Sequence, residues 1–482
     1  MAHTRAGLLF GLPHPVETAT LLAGAESWRE PLEEAGVRIV PATTELVVSE
    51  PVQLVVAPAG LAWAATALDP GAIVLVGRGG RRALRRAGYR ARRFLPLPSL
   101  GRPSLLVPVD RPRVARYALA NLSVPAGFVK TLRNVLAGLA VAARLPLPGT
   151  VVLASRSAEG PSTLRPAAGL GLPAEVDWLL VLGRAVERSA FFLFPRGARK
   201  PSWVLKFSPE DRGDDPFLGD ERGARLVRDV GGALAEHAPR LVGVSTTGER
   251  PVTVETAAVG APLVYRLRAP GRRAAKRALV ADVGRWLVDV AAATALPGRA
   301  EEALAALDFP EGIVEETGAD VAALCHGLGG LPAVLEHRDL APTHVLVTRD
   351  SFSVIDWEEA ARVGLPLADL AFFLAQVLPI LDGELDDPRI GRHEAFARLF
   401  RGESPSAGLL FELLDEACRR LEVPPDAVPA LLSLTWLRLS AGPRRHLAEA
   451  WFGDPELGPS WPAWTRRLPD DAAVAPPAAA AA

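Results

Sequence analysis

Two cysteines, Cys325 and Cys418, are all that the 482 residues contain. They are too few and too far apart for a disulfide framework or a cysteine metal cluster, and they suit a reducing compartment. Net charge is nearly absent as well: 54 Lys and Arg stand against 55 Asp and Glu, a formal −1. No overall charge draws the chain to nucleic acid or to a membrane surface. Long apolar runs are missing. A spanning helix needs roughly 18 apolar residues, and the longest candidate, AFFLAQVLPIL, is shorter and follows Asp369. The start, MAHTRAGLLFGLPHPVETA, makes a poor signal peptide because Pro13, His14 and Glu17 interrupt its apolar run. The expectation is a soluble, cytoplasmic protein with no nucleic-acid and no membrane partner. Lysine is scarce too. Lys130, Lys200, Lys206 and Lys276 are the only lysines, so each is a candidate for a role that arginine fills badly.

What is abundant is apolar side chain, 49% of the chain. With this length it predicts a large buried core and several domains. Residues 1–150 alternate strands and helices. QLVVAPA and AIVLVGR read as buried parallel strands, with LAWAATALDPG as a helix between them. RRALRRAGYRARRFLPLPS reads as a helix, a turn at Gly88 and a further strand. This pattern predicts an α/β Rossmann-like domain. The order of LVVAPA, helix, LDPGAIVLVG and ALRRAGYRARRFLPL weakly resembles the C-terminal half of class I methyltransferases. Those enzymes hold their cofactor at a glycine-rich turn after the first strand. The candidate turn here, FGLPHP, has one glycine and two prolines, which remove donors and fix φ. The domain therefore reads as cofactor-free.

The Pro- and Gly-rich stretch 125–165 predicts a boundary. Residues 151–260 then hold WLLVLGR, SAFFLFP and SWVLKFS, three close apolar runs that predict an antiparallel sheet. Residues 261–470 turn helical, as in KRALVADVGRWLVDVAAA and GLLFELLDEACRRL, where apolar residues recur three and four apart. Residues 471–482, Ala- and Pro-rich, predict a disordered tail.

The chemistry concentrates in HRDLAPTHVLVTRDSFSVIDWEEA, residues 337–360. HVLVT and FSVID predict a hairpin around Arg349, Asp350 and Ser351. Pairing Thr348 with Phe352 sets Leu346 opposite Val354 and His344 opposite Asp356. Asp339 sits five residues before His344, so Asp339, His344 and Asp356 should converge. One loop carboxylate to orient or deprotonate a hydroxyl, and a second to hold Mg²⁺ on nucleotide phosphates, is what phosphoryl transfer requires.

HRDLAPTHVLV followed by VIDWEEA resembles the aminoglycoside phosphotransferase and choline kinase family over about residues 165–465. The resemblance implies an α+β protein-kinase-like bilobal fold. Residues 151–260 would be its N-lobe with an antiparallel sheet, and 261–470 its helical C-lobe, preceded by the Rossmann-like domain. It implies an ATP-dependent, Mg²⁺-dependent transfer of the γ-phosphate to a hydroxyl of a small molecule. Asp339 matches the catalytic aspartate, Asp356 the metal-binding aspartate, His337 a structural loop histidine, and Asp369 an element that braces the catalytic loop. Lys206 matches the nucleotide-contacting lysine, and Glu221 the glutamate that pairs with it. The adenine is expected at the backbone from Glu255 to Ala258. A lone lysine in a strand is often an edge residue with its head in water, and a lone H-x-D arises by chance. It is their order and spacing together that carry the resemblance.

The sequence departs from the family at 344, where the pattern has Asn. An imidazole nitrogen suits Mg²⁺ less well than an amide oxygen. Only Gly183 stands where a glycine-rich lid would cradle phosphates. Two readings stay open here: a phosphotransferase in which Asp356 mainly holds the metal, with His344 as a second ligand or not and with activity reduced by the exchange or not, or a pseudokinase that binds nucleotide or scaffolds a protein partner. Trp436, Trp451, Trp461 and Trp464 read as core in preference to a ligand cage.

Overall fold

The computed structural model describes residues 5–42, 48–77, 79–98, 103–122, 138–139, 141, 149–157, 161–165, 169–173, 175–183, 189–207, 216–247 and 250–465. The expected tail, 471–482, and most of the segment after Gly183 lie outside them. The chain divides into two units, Met1–Glu221 with Pro239–Ala261, and Arg222–Ala238 with Pro262–Ala482.

The first unit is organised by one sheet of twelve strands. In chain order these are β1 (Thr18–Leu21), β2 (Arg38–Ile39), β3 (Leu54–Pro58), β4 (Ala72–Val76), β5 (Arg90–Pro98), β6 (Pro103–Pro108), β7 (Val151–Ser155), β8 (Val176–Val181), β9 (Ser189–Pro195), β10 (Trp203–Phe207), β11 (Leu241–Thr247) and β12 (Arg250–Thr256). Their spatial order is β11-β12-β10-β9-β8-β6-β5-β7-β4-β3-β1-β2. The strands β1 to β4 pair in parallel, as the Val- and Ile-rich runs predict, with Leu54 opposite Ala72. Ala62–Ala67 and Arg81–Arg86 supply the expected helices. Gly88 makes the turn into β5 at φ +84°, where a side chain is disfavoured.

Two features depart from the sequence reading. The first strand is β1, and it runs into Leu22–Ala25. FGLPHP instead lies in and just after the short helix Arg5–Gly11. The turn judged for cofactor chemistry is therefore not the one that follows the first strand. The strand β7, just past the boundary expected at 150, is inserted antiparallel between β4 and β5. The sheet then runs on without a break, because β6 pairs with β8 through Leu105–Val181 and Leu106–Leu180. Trp178 seals this joint. It stacks on Phe94 at 4.9 Å and meets Phe191 edge-on at 5.3 Å. One apolar core cluster spans both halves, from Leu54 and Val74 to Leu205 and Val254.

The second unit is helical. Arg273–Thr294, Ala368–Leu381 and Ala407–Leu421 pack against one another around a core that includes Val283, Leu374 and Leu413. Trp436, Trp451, Trp461 and Trp464 are buried among Phe396, Phe400 and Phe411. Their rings are spent on packing. Among the described residues no helix is long and apolar enough to cross a membrane.

Candidate functional site

The loop at 337–344 takes its shape from local rules. Ala341, Pro342, Thr343 and His344 close a turn in which the His344 N–H donates to the Ala341 carbonyl at 2.9 Å. Proline at the second position presets φ for such a turn. The turn swings the His344 ring back over Asp339. The Asp339 carbonyl then accepts from the Ala341 N–H at 2.8 Å and from His344 Nδ1 at 2.7 Å. A carbonyl can only accept, so Nδ1 carries the proton. The other ring nitrogen, Nε2, faces Asp356 Oδ2 at 3.5 Å, and Asp339 Oδ2 lies 3.6 Å from Nδ1. Asp339, His344 and Asp356 are thus brought together.

They converge by a different route from the one expected. The hairpin pairs Val345 with Val354, Leu346 with Ser353 and Val347 with Phe352. That is one residue off the register drawn from sequence, and a one-residue slip moves every side chain to the other face. Thr348 faces Ser351 across a two-residue turn, and the Thr348 hydroxyl accepts the Asp350 and Ser351 N–H groups. His344 is opposite Ile355, whose N–H donates to the His344 carbonyl at 2.9 Å. Asp356 reaches the ring because its backbone turns left-handed, at φ 73° and ψ 55°. Aspartate is one of the few residues that tolerate this conformation.

His337 and Asp369 hold the loop from behind. The Asp369 carboxylate accepts the backbone N–H groups of His337 and of Arg338, the latter at 3.0 Å. Arg338 is itself left-handed, at φ 69°. Burial, and then the nearby Glu336 charge, push the Asp369 carboxyl above the usual range. His337 Nε2 donates to the Ile355 carbonyl at 3.0 Å, while Nδ1 accepts the Asp339 N–H at 3.3 Å. Burial lowers its pKa to about 4, so the ring is neutral at pH 7. Behind it, Arg438 grips the buried Glu336 through two guanidinium nitrogens.

One contact has no counterpart in the sequence reading. Arg444, from the short helix Gly442–Arg444, forms an ion pair with Asp339 Oδ1. Its guanidinium lies 5.0 Å from the centre of the Phe372 ring, a cation–π seat. The sequence shows Arg444 as one of several C-terminal arginines and carries no signal of this pairing.

In the first unit, Lys206 lies on β10 opposite Thr253, which puts Glu255 on the diagonal. Its Nζ is 3.1 Å from Glu255 and 3.4 Å from Asp220. The helix Pro216–Val230 presents Asp220 to the lysine, and Glu221, the partner expected from sequence, is the next residue of the same helix. Glu255 meets the lysine through its carboxylate, while its backbone belongs to the sheet ladder. At the expected adenine segment, the Ala257 N–H donates to the Ser202 carbonyl at 2.9 Å. Ala258 follows at the exit from the strand.

Residues 188–404 match the family model described as "Phosphotransferase enzyme family". Over this region the chain resembles that family. The match takes in Lys206, Glu255 and the whole loop from His337 to Asp369, and it stops before Arg444. No curated protein matches the chain. Among solved structures, it is similar to the choline kinase of Cryptosporidium parvum Iowa II. That match has 11% identity over 58% of this chain and 87% of the other, with a TM-score of 0.32. It is also similar to the aminoglycoside phosphotransferase APH(3'')-Id of Streptomyces rimosus ATCC10970, solved with ADP and streptomycin. Here identity is 15% over 55% of this chain and 94% of the other, with a TM-score of 0.31.

Magnesium is the metal this resemblance implies, and the donors can be tested against it. Asp356 offers a carboxylate oxygen that is 34% exposed. Mg²⁺ is commonly held by one or two carboxylates plus substrate phosphates and keeps several waters. Asp356 fits that requirement.

Proposed function

We propose that the protein is an ATP-dependent phosphotransferase that moves the γ-phosphoryl group to a hydroxyl of a small molecule. The observation that carries this reading is the convergence of Asp339 and Asp356 on the two sides of the His344 ring. In this account the acceptor hydroxyl donates its proton to the Asp339 carboxylate as its oxygen attacks the γ-phosphorus. The bond to the β–γ bridging oxygen breaks and ADP leaves. Positioning and charge compensation supply most of the rate in such transfers. Asp356 would hold Mg²⁺, which when bound offsets the charge of the phosphates. Lys206, steadied by Asp220 and Glu255, would hold the nucleotide phosphates. His337 and Asp369 act only on the shape of the loop.

The test is Asp339→Ala. It should abolish turnover and leave the affinity for ATP within about twofold. Full turnover by the variant would remove Asp339 from the mechanism.

A further inference from the structure

Beside Asp339 in the helical unit lies a cavity of about 310 Å³. That is room for a small molecule. Arg338, Arg438 and Arg444 line it with Asp339, Asp308 and Glu359. Those last two are exposed, where water and salt screen them. The guanidiniums are more enclosed, at 33% exposed for Arg338, 12% for Arg438 and 36% for Arg444. Arg438 is committed to Glu336. Arg338 Nε is buried without a hydrogen-bond partner, and its nearest carboxylate, Glu336, is 3.8 Å away.

The pairing of Arg444 with Asp339 sets a condition on any acceptor. Asp339 Oδ1 is engaged by Arg444, and Oδ2 faces His344. A hydroxyl that donates to Oδ2 brings the rest of its molecule beside the guanidinium on Oδ1. A neutral alcohol offers the guanidinium no anion. A polycation would meet three arginines. An alcohol that carries its own carboxylate or phosphate replaces one charge-assisted pair by another. Phe372 holds the guanidinium plane in place for a two-point grip.

We infer that the acceptor is a small anionic alcohol, whose carboxylate or phosphate binds Arg444 and Arg338 while its neighbouring hydroxyl faces Asp339. This rests on the phosphotransferase reading and names its substrate class. The transfer keeps the balance given above: an O–P bond forms at the acceptor, one breaks to ADP, and the hydroxyl proton goes to Asp339 and then to water.

The experiment uses the full chain with ATP and MgCl₂, and measures ADP release with D-glycerate, glycerol 3-phosphate, glycerol and choline. At least one of the two anionic alcohols should exceed both others tenfold or more in kcat/KM. The better of the two tells carboxylate from phosphate. Arg444→Gln should raise KM for that acceptor tenfold or more, and Arg444→Lys should recover part of the loss. In parallel, succinate and sulfate, which are not acceptors, should raise the melting temperature of the wild type and not of Arg444→Gln. If this anion effect appears with no turnover of any alcohol, the anion site stands and the phosphotransferase reading falls. If glycerol or choline is turned over best, or if Arg444→Gln changes neither KM nor the anion effect, the inference is overturned.

Discussion

His344 Nδ1 donates to the main-chain carbonyl of Asp339 at 2.7 Å, and this bond turns Nε2 toward Asp356 at 3.5 Å. The ring therefore links Asp339 to Asp356, the aspartate proposed to hold the metal, at the position where the family that this chain resembles has asparagine. His344→Asn exchanges an imidazole nitrogen for a hard amide oxygen. The variant should need several-fold less Mg²⁺ for half-maximal turnover, and should lose any advantage of Mn²⁺ over Mg²⁺. Titrating activity with each metal checks this. Unchanged titrations would take His344 out of the metal's surroundings.

The Asp369 carboxylate accepts two consecutive backbone N–H groups of the loop, and one belongs to a left-handed arginine. Asp369→Ala leaves both donors unsatisfied, at a cost of about 1–3 kcal/mol each. The expected result is faster amide exchange at 337 and 338 and a fall in kcat of tenfold or more. Affinity for ATP should change little. Loss of ATP affinity with kcat intact would contradict a role confined to the loop.

Gly223 passes so close to the 356–359 segment that a Cβ there would run into the carbonyl of Trp357. Backbone cannot yield as a flexible side chain can. Gly223→Ala should lower the melting temperature and weaken Mg²⁺-dependent activity together, because the displaced residue is next to Asp356. A melting temperature within 1 °C or so of the wild type would show that the helix shifts freely.

His337 titrates at about 4 in the fold against 6.5 as its ordinary value. Between those values the unfolded chain binds the proton and the folded chain does not. The stabilisation is complete above about pH 6.5 and is lost as pH falls toward 4, to the extent of on the order of 3 kcal/mol. His337→Asn should flatten the pH dependence of stability in that window by about one proton. Nitrogen NMR of the wild type should find the ring neutral at pH 5.5. A protonated ring there would refute the buried donor–acceptor arrangement.

The elements that depend on local pattern were legible in the sequence. Examples are the parallel runs at 54–58 and 72–76, the three antiparallel runs around Lys206, and the long amphipathic helices. Those set by distant partners were not. The strand Val151–Ser155 enters the sheet between two strands far earlier in the chain, and no local feature marks that insertion. The hairpin register turned on whether the connection has two or three residues, and the Thr348 hydroxyl decided it by capping the turn. Helix phase turns Asp220 toward Lys206, and phase is hard to fix from sequence, since neighbouring helical residues point about 100° apart. The grip of Arg444 on Asp339 spans 105 residues, and only the fold brings them together.

The most direct test of the central claim is the melting temperature with ATP alone, with MgCl₂ alone and with both, for the wild type and for Asp356→Asn. Asparagine keeps the left-handed backbone that residue 356 requires and removes only the charge. A ligand at about 100 times its dissociation constant adds roughly 2.7 kcal/mol. The account predicts a clear rise in the wild type only when ATP and MgCl₂ are both present, and its loss in Asp356→Asn. A rise with ATP alone that the variant retains, or no rise under any condition, would contradict it.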